Sequence, residues 1–199
     1  MPAAPAREDI TGLILAGGRG SRMGGVDKGL QPWRGQALVD HAIARLGPQV
    51  ASLLISANRH RDEYEQRDAR VIADANDDFP GPLAGMLAGL RSAHTPWLAV
   101  VPCDVPGLPA DLVMRLARGL RPPARAAVVE RDAGTGPARI EPVCCLLSRE
   151  LADDLAAYLG AGERKVEPWL ARHATPVRFD APGDSQAFAN FNTLADLQA

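Results

Sequence analysis

The chain has 199 residues, 46% of them hydrophobic and 23% charged, and a formal net charge of −2. That size and balance fit one globular domain with a real core, and the charge leaves no footprint for nucleic acid or an anionic membrane surface. No apolar run approaches the roughly 20 residues of a membrane-spanning helix, and three cysteines, two of them adjacent (Cys144 and Cys145), make neither a disulfide framework nor a zinc site.

Residues 1–9 lack the apolar stretch of a signal peptide and read as a disordered tail before one domain over 10–199, which together with the cysteine usage points to the cytoplasm. Ile10–Leu15 is a short, mostly apolar run with β-branched members, the pattern of a buried strand. It runs into LAGGRGSRMGGVDKG at residues 15–29, and a glycine-rich loop leaving a strand lets backbone N–H groups approach phosphate oxygens with no Cβ in the way. Ala37–Leu46 follows as a helix ended by Gly47-Pro48. Val50–Ser56 and Arg70–Ala73 read as further strands, the Arg61–Arg70 charge run between them as a solvated helix face. Pro82–Arg91 is a helix with proline in its first turn, and Trp97–Val101 a fourth strand that runs straight into Pro102-Cys103-Asp104. Ala110–Leu120 reads as a helix, Ala126–Glu130 and Pro142–Leu147 as strands, and Arg149–Leu159 as a helix. Strands alternating with helices at this spacing predict βαβ units and a mostly parallel sheet covered on both faces.

Ligands bind such sheets beyond the carboxyl ends of the strands. The glycine loop follows the first strand, Ser56 and Asn58 the second, Asp74 the third and Asp104 the fourth. Polar turn residues sit at strand ends in any case, so it is the joint placement that marks a site. The loop is not a dinucleotide fingerprint, because the third glycine of G-x-G-x-x-G falls on Met23. It is not a Walker A loop either, because Val26 and Asp27 follow Gly25 where Lys and Ser/Thr should stand. It does carry two cations, Arg22 and Lys28, suited to anionic oxygens; the alternative for Lys28 is a surface pair with Asp27. Asp104 is a rigidly held hard carboxylate suited to Mg²⁺, its alternative being a cap or turn residue before Val105-Pro106. Cys103 reads as packing, the histidines show no metal spacing, and the three tryptophans read as core or rim.

Leu15-Ala16-Gly17-Gly18, Ser21-Arg22-Met23-Gly24 and Asp27-Lys28 resemble the LAGGxSxRMGxDK signature of the molybdenum cofactor guanylyltransferases, with one extra glycine at Gly25. Pro80-Gly81-Pro82-Leu83-Ala84-Gly85, Pro102-Cys103-Asp104, Gly162-Glu163-Arg164-Lys165 and Asn190-Phe191-Asn192-Thr193 with Asp196-Leu197 resemble that family's later motifs, so the likeness spans Thr11 to Leu197. It implies a three-layer, Rossmann-like α/β domain of nucleotide-diphospho-sugar transferase type. The implied reaction is transfer of GMP from GTP to the phosphate of molybdenum-molybdopterin, releasing pyrophosphate. A phosphate monoester is mostly dianionic near neutral pH, its second pKa being about 6, so the nucleophile arrives without a general base. Bringing two anions together instead calls for Mg²⁺ and cations.

On this resemblance Asp104 holds the metal, while Lys28 and Arg22 neutralise the α-phosphate and the departing pyrophosphate. Leu15, Ala16, Gly17, Gly18 and Gly20 meet the nucleotide, and Ser56 or Asn58 with Asp74 holds guanosine. Arg164, Lys165, Asn190 and Asn192 look like the pterin side, though Asn192 could equally cap the final helix. The implied partners are GTP, molybdenum-molybdopterin, and cofactor-delivery or molybdoenzyme proteins. Two alternatives are a related nucleotidylyltransferase, acting with CTP on the same cofactor or on a sugar or alcohol phosphate, and a non-catalytic nucleotide-binding domain. The cytidylyl relatives usually read LAAG where this chain has Ala16-Gly17-Gly18 and lack the Asp27-Lys28 pairing. Lys28 and Asp104 argue against loss of catalysis.

Overall fold

The computed structural model describes residues 4–16, 26–74, 81–131, 137–191, 193 and 196–198. Its main sheet has seven strands: β1 (Ile10–Leu15), β4 (Ser52–Ser56), β5 (Arg70–Ile72), β6 (Trp97–Pro102), β7 (Ala126–Arg131), β8 (Arg139–Ser148) and β9 (Ala174–Phe179), in the order β5-β4-β1-β6-β8-β7-β9. A separate small hairpin pairs β2 (Pro32–Trp33) with β3 (Gln36–Ala37). The helices are α1 (Leu38–Leu46), α2 (Arg61–Tyr64), α3 (Pro82–Ser92), α4 (Leu112–Gly119), α5 (Ala152–Gly160), α6 (Val166–Leu170) and α7 (Asp184–Ala187).

Helices cover both faces because the strands alternate their side chains between two buried layers. Ile10 and Ile14 of β1 join Ala99 and Val101 of β6 against Val39, Ala42 and Leu46 of α1 and Leu112, Val113 and Leu116 of α4. Leu13 of β1 joins Leu98 and Val100 of β6 against Leu83, Met86, Leu87 and Leu90 of α3 and Leu155 and Leu159 of α5. On the second layer Asp154 of α5 accepts from Trp169 Nε1 at 2.9 Å and His173 Nε2 at 2.8 Å. That carboxylate ties α6 and the turn after it to α5.

The expected mostly parallel sheet is present, with one exception: β8 runs antiparallel to both β6 and β7. β8 also begins earlier than the apolar run at Pro142, since Arg139–Glu141 pair with Arg131–Val129. The connection from β7 is therefore too short for a helical crossover. β9 adds a parallel edge next to β7, where Pro176 is tolerated because an edge strand has free positions for a residue without N–H.

Two expectations need correction. Residues 7–9, expected within a disordered tail, form a 3-10 turn in which Arg7 Nε donates to Pro48 O at 3.0 Å. The Arg61–Arg70 run is not one solvated helix: α2 is a single turn, Tyr64 is fully buried, and Arg67 pairs with Asp40 at 2.6 Å.

Candidate active site

The carboxyl ends of four strands stop level with one another. Leu15 pairs with Ser56 on one side and Pro102 on the other, and Ser56 pairs with Ile72. Backbone bonds carry the alignment one residue further: Ala16 N donates to Ser56 O at 2.9 Å, Cys103 N to Leu15 O at 3.1 Å and Ala57 N to Ile72 O at 3.0 Å. Asp74, Ser56, Leu15 and Asp104 thus lie in one row across the sheet. Three interstrand spacings of about 4.8 Å separate its ends by about 14 Å, on the scale of an extended nucleoside triphosphate.

Asp74 stands at one end of the row. Its Oδ1 accepts from Ser56 Oγ at 2.6 Å and its Oδ2 from Asn58 Nδ2 at 2.8 Å, while its own N–H donates to Asn58 Oδ1 at 2.9 Å. Ser56 is buried and Asn58 exposed, so the serine braces the carboxylate from below and the asparagine from the rim. A carboxylate offers about four acceptor positions, and these two bonds leave about half of them for a ligand. Gly85 of α3 closes the floor: a Cβ there would lie 2.7 Å from Leu15 Cδ2, 2.8 Å from Ser56 Oγ and 3.3 Å from Asp74 Oδ1. Only glycine lets the helix come this close.

Lys28 and Asp104 stand at the other end, joined by a 2.6 Å contact between Nζ and Oδ2, with side chains 22% and 19% exposed. The second oxygen, Asp104 Oδ1, is buried and has no hydrogen-bond partner among the described residues. An orphaned carboxylate oxygen is costly, and a hard, oxygen-seeking cation is the ligand that suits it. The described residues contain no group of three His, Cys, Asp or Glu side chains able to hold a metal ion. Cys103 is buried beside this aspartate, and burial with the neighbouring Asp104 charge pushes its thiol up, keeping it protonated and inert.

Lys28 opens a short 3-10 turn, Lys28–Leu30, capped by the Asp27 carboxylate, which accepts from Gly29 N at 3.1 Å and from Tyr64 Oη at 2.6 Å. The alternative of a Lys28–Asp27 surface pair is therefore not what forms. The C-terminal segment also reaches this end of the row: Phe191 N donates to Asp104 O at 2.9 Å, and its ring meets Trp33 edge-on at 5.0 Å. Asn190, exposed, is thereby held next to the Asp104 loop.

Of the expected residues, the structure brings Leu15, Ala16, Lys28, Ser56, Asn58, Asp74, Asp104 and Asn190 to this edge. Gly17, Gly18, Gly20, Arg22 and Asn192 lie outside the described residues. Arg164 and Lys165 sit in the α5–α6 connection, where Arg164 Nη1 donates to Leu159 O at 2.8 Å and the Tyr158 hydroxyl donates to Lys165 O at 3.0 Å. Sequence reasoning missed Tyr64, Gly85 as a packing residue, and Phe191. Gly85 and Phe191 do fall inside motifs, whereas Tyr64 is marked only as an aromatic within a charge run.

Residues 12–177 match the family model described as the MobA-like NTP transferase domain. A protein of Ralstonia pickettii (strain 12J) named molybdenum cofactor guanylyltransferase is 53% identical over 195 residues, covering 95% of this chain and 94% of the relative. Among solved structures, molybdopterin-guanine dinucleotide biosynthesis protein A from Archaeoglobus fulgidus superimposes with a TM-score of 0.72 at 22% identity over 94% of this chain and 95% of that one. CMP:2-keto-3-deoxy-manno-octonic acid synthetase superimposes with a TM-score of 0.72 at 14% identity over 96% and 95%. These two likenesses establish the nucleotide-diphospho-sugar transferase fold and leave the nucleobase open.

Proposed function

The chain belongs to the MobA-like NTP transferase family, and on that premise we propose that it transfers GMP from GTP to the phosphate of molybdenum-molybdopterin, yielding the guanine dinucleotide cofactor and pyrophosphate. The observation that carries the reading is the pole at the end of β6, where Lys28 Nζ meets one oxygen of Asp104 and the other oxygen is buried with no hydrogen-bond partner among the described residues. A carboxylate with one oxygen on a cation and one to spare, at the end of β6 next to the end of β1, suits a metal-bound triphosphate.

The acceptor phosphate attacks the α-phosphorus of GTP. One P–O bond forms, the α–β bridging bond breaks, and its electron pair leaves on pyrophosphate. Lys28 offsets the charge that shifts towards the leaving group, and Arg22 is assigned the same task from within the loop. Asp104 Oδ1 would hold Mg²⁺, which when bound supplies electrostatic stabilisation of the crowded phosphate oxygens. The N–H groups of Gly17, Gly18 and Gly20 are assigned to the triphosphate, with Leu15 and Ala16 beneath the nucleotide.

Asp74 favours guanine over cytosine on chemical grounds. Guanine presents two adjacent donors, N1–H and N2–H₂, to the two acceptor positions left on the carboxylate. Cytosine would turn its N3 lone pair on the same oxygens. Asn190, with Asn192, Arg164 and Lys165, is assigned to the pterin side, and delivery or acceptor proteins of molybdoenzymes are the expected partners. No helix among the described residues is long and apolar enough to cross a membrane, and the reading places the enzyme in the cytoplasm. In a melting experiment with Mg²⁺, GTP at 100 times its Kd should stabilise the fold by about 2.7 kcal/mol, with little effect from CTP or ATP. Equal shifts for GTP and CTP would transfer the assignment to cytidylyl transfer.

A further inference from the structure

Tyr64 takes no part in the chemistry above. It is fully buried although its neighbours in the 61–70 stretch are mostly polar, and its hydroxyl donates to Asp27 Oδ1 at 2.6 Å. The same carboxylate also accepts from Gly29 N at 3.1 Å. Asp27 directly precedes Lys28, so an anion sits one residue from the ammonium that has to face Asp104 and the phosphates. Left unheld, that anion would compete for the ammonium. A charge-assisted O–H···O⁻ bond is strong enough to keep it elsewhere.

The fit leaves no slack. A Cβ at Gly29 would lie 2.4 Å from the Tyr64 oxygen and 3.4 Å from Cys103 Sγ. The ring is held in turn by Arg67, whose guanidinium lies 5.7 Å from its centroid and bonds Asp40 at 2.6 Å. Burial, then the Asp27 bond, pushes the phenol up, so it remains a donor throughout the working pH range.

We infer that Tyr64 is a positioning residue for nucleotidyl transfer: it holds the Asp27 carboxylate off Lys28, leaving the ammonium directed at Asp104 and the phosphates. The inference rests on the role given to Lys28 above, and its test separates the two. Lys28 and Lys165 are the only lysines of the chain, so lysine-selective ¹³C/¹⁵N labelling yields two side-chain signals, identified with Lys165→Arg. Tyr64→Phe should move the Lys28 signal and leave that of Lys165 in place. In GMP transfer it should lower kcat about 10- to 100-fold, the scale of a misplaced catalytic group, with the KM for acceptor little changed. Adding Asp27→Asn to Tyr64→Phe removes the competing charge and should recover most of kcat, a rescue that a purely structural tyrosine would not show. An unmoved Lys28 signal, a wild-type kcat in Tyr64→Phe, or a loss that Asp27→Asn fails to recover would overturn the inference. If the wild-type chain transfers no GMP the functional reading falls, and the Lys28 signal still decides the positioning role.

Discussion

Replacing Gly85 by alanine tests whether the Asp74 end of the row is the guanine site. The new Cβ would lie 2.7 Å from Leu15 Cδ2 and 2.8 Å from Ser56 Oγ, where about 3.5–4.0 Å is the comfortable separation between carbons. Leu15 or α3 must yield by roughly 1 Å to restore that spacing. Ser56 is buried and committed to Asp74 at 2.6 Å, so it cannot retreat without disturbing the carboxylate. Overpacking of this kind costs about 1–3 kcal/mol, and alanine regains about 1 kcal/mol over glycine inside a helix. The net loss of about 0–2 kcal/mol leaves a domain of ordinary stability folded. Weakening one hydrogen bond between Asp74 and guanine removes about 1.5–3 kcal/mol of binding, or about 10- to 150-fold in affinity. Titration calorimetry with Mg·GTP, run beside melting of the ligand-free protein, separates the two effects. A folded Gly85→Ala protein that binds GTP as tightly as wild type would refute the argument that Leu15, Ser56 and Asp74 form the base pocket.

Three further outcomes follow from the same geometry. Lys28→Ala should lower kcat by at least ~100-fold, the scale for losing one transition-state donor, with a smaller loss of GTP affinity; a fall carried by KM alone would make Lys28 a uniform binding contact. Asp104→Asn retains size and a hydrogen bond to Lys28 but removes charge, so Mg²⁺-supported turnover should collapse while the ligand-free melting temperature changes little, and a variant that unfolds would make the residue structural. Asp184 is held below the usual carboxylate range by its hydrogen bonds to Arg115 at 3.0 and 2.8 Å, against the opposing effect of burial. The unfolded chain therefore binds the proton more readily, so this pair stabilises above about pH 4 and its contribution is lost as pH falls through the lower folded value. The melting temperature of Asp184→Asn should accordingly depend less on pH than that of wild type between about pH 5 and 3, and parallel curves would show that the pair adds nothing.

The class of fold and the row of polar residues are legible along the chain, because both rest on local signals. Hydrophobic runs such as Ile10–Leu15 and Trp97–Val101 mark strands buried on two faces, and each polar residue that follows one must emerge at the same edge of a parallel sheet. The direction of β8 was hidden: Arg139, Glu141 and Pro142 break the apolar pattern, so the strand looked shorter and its connection to β7 longer than they are. β9 was hidden by Pro176, which an edge strand accommodates. Which groups touch was decided by the tertiary structure alone. Lys28 neighbours Asp27 along the chain, and a charge count pairs them. The fold instead brings Tyr64 to Asp27 and Asp104 to Lys28, the partners being 37 and 76 residues apart. Gly85 likewise reads as an ordinary helical glycine until α3 is laid against Leu15 and Ser56. Periodicity and composition report how a residue meets solvent, whereas an ion pair or a close approach depends on two distant segments meeting, and that separation is fixed only when the sheet and its helices pack.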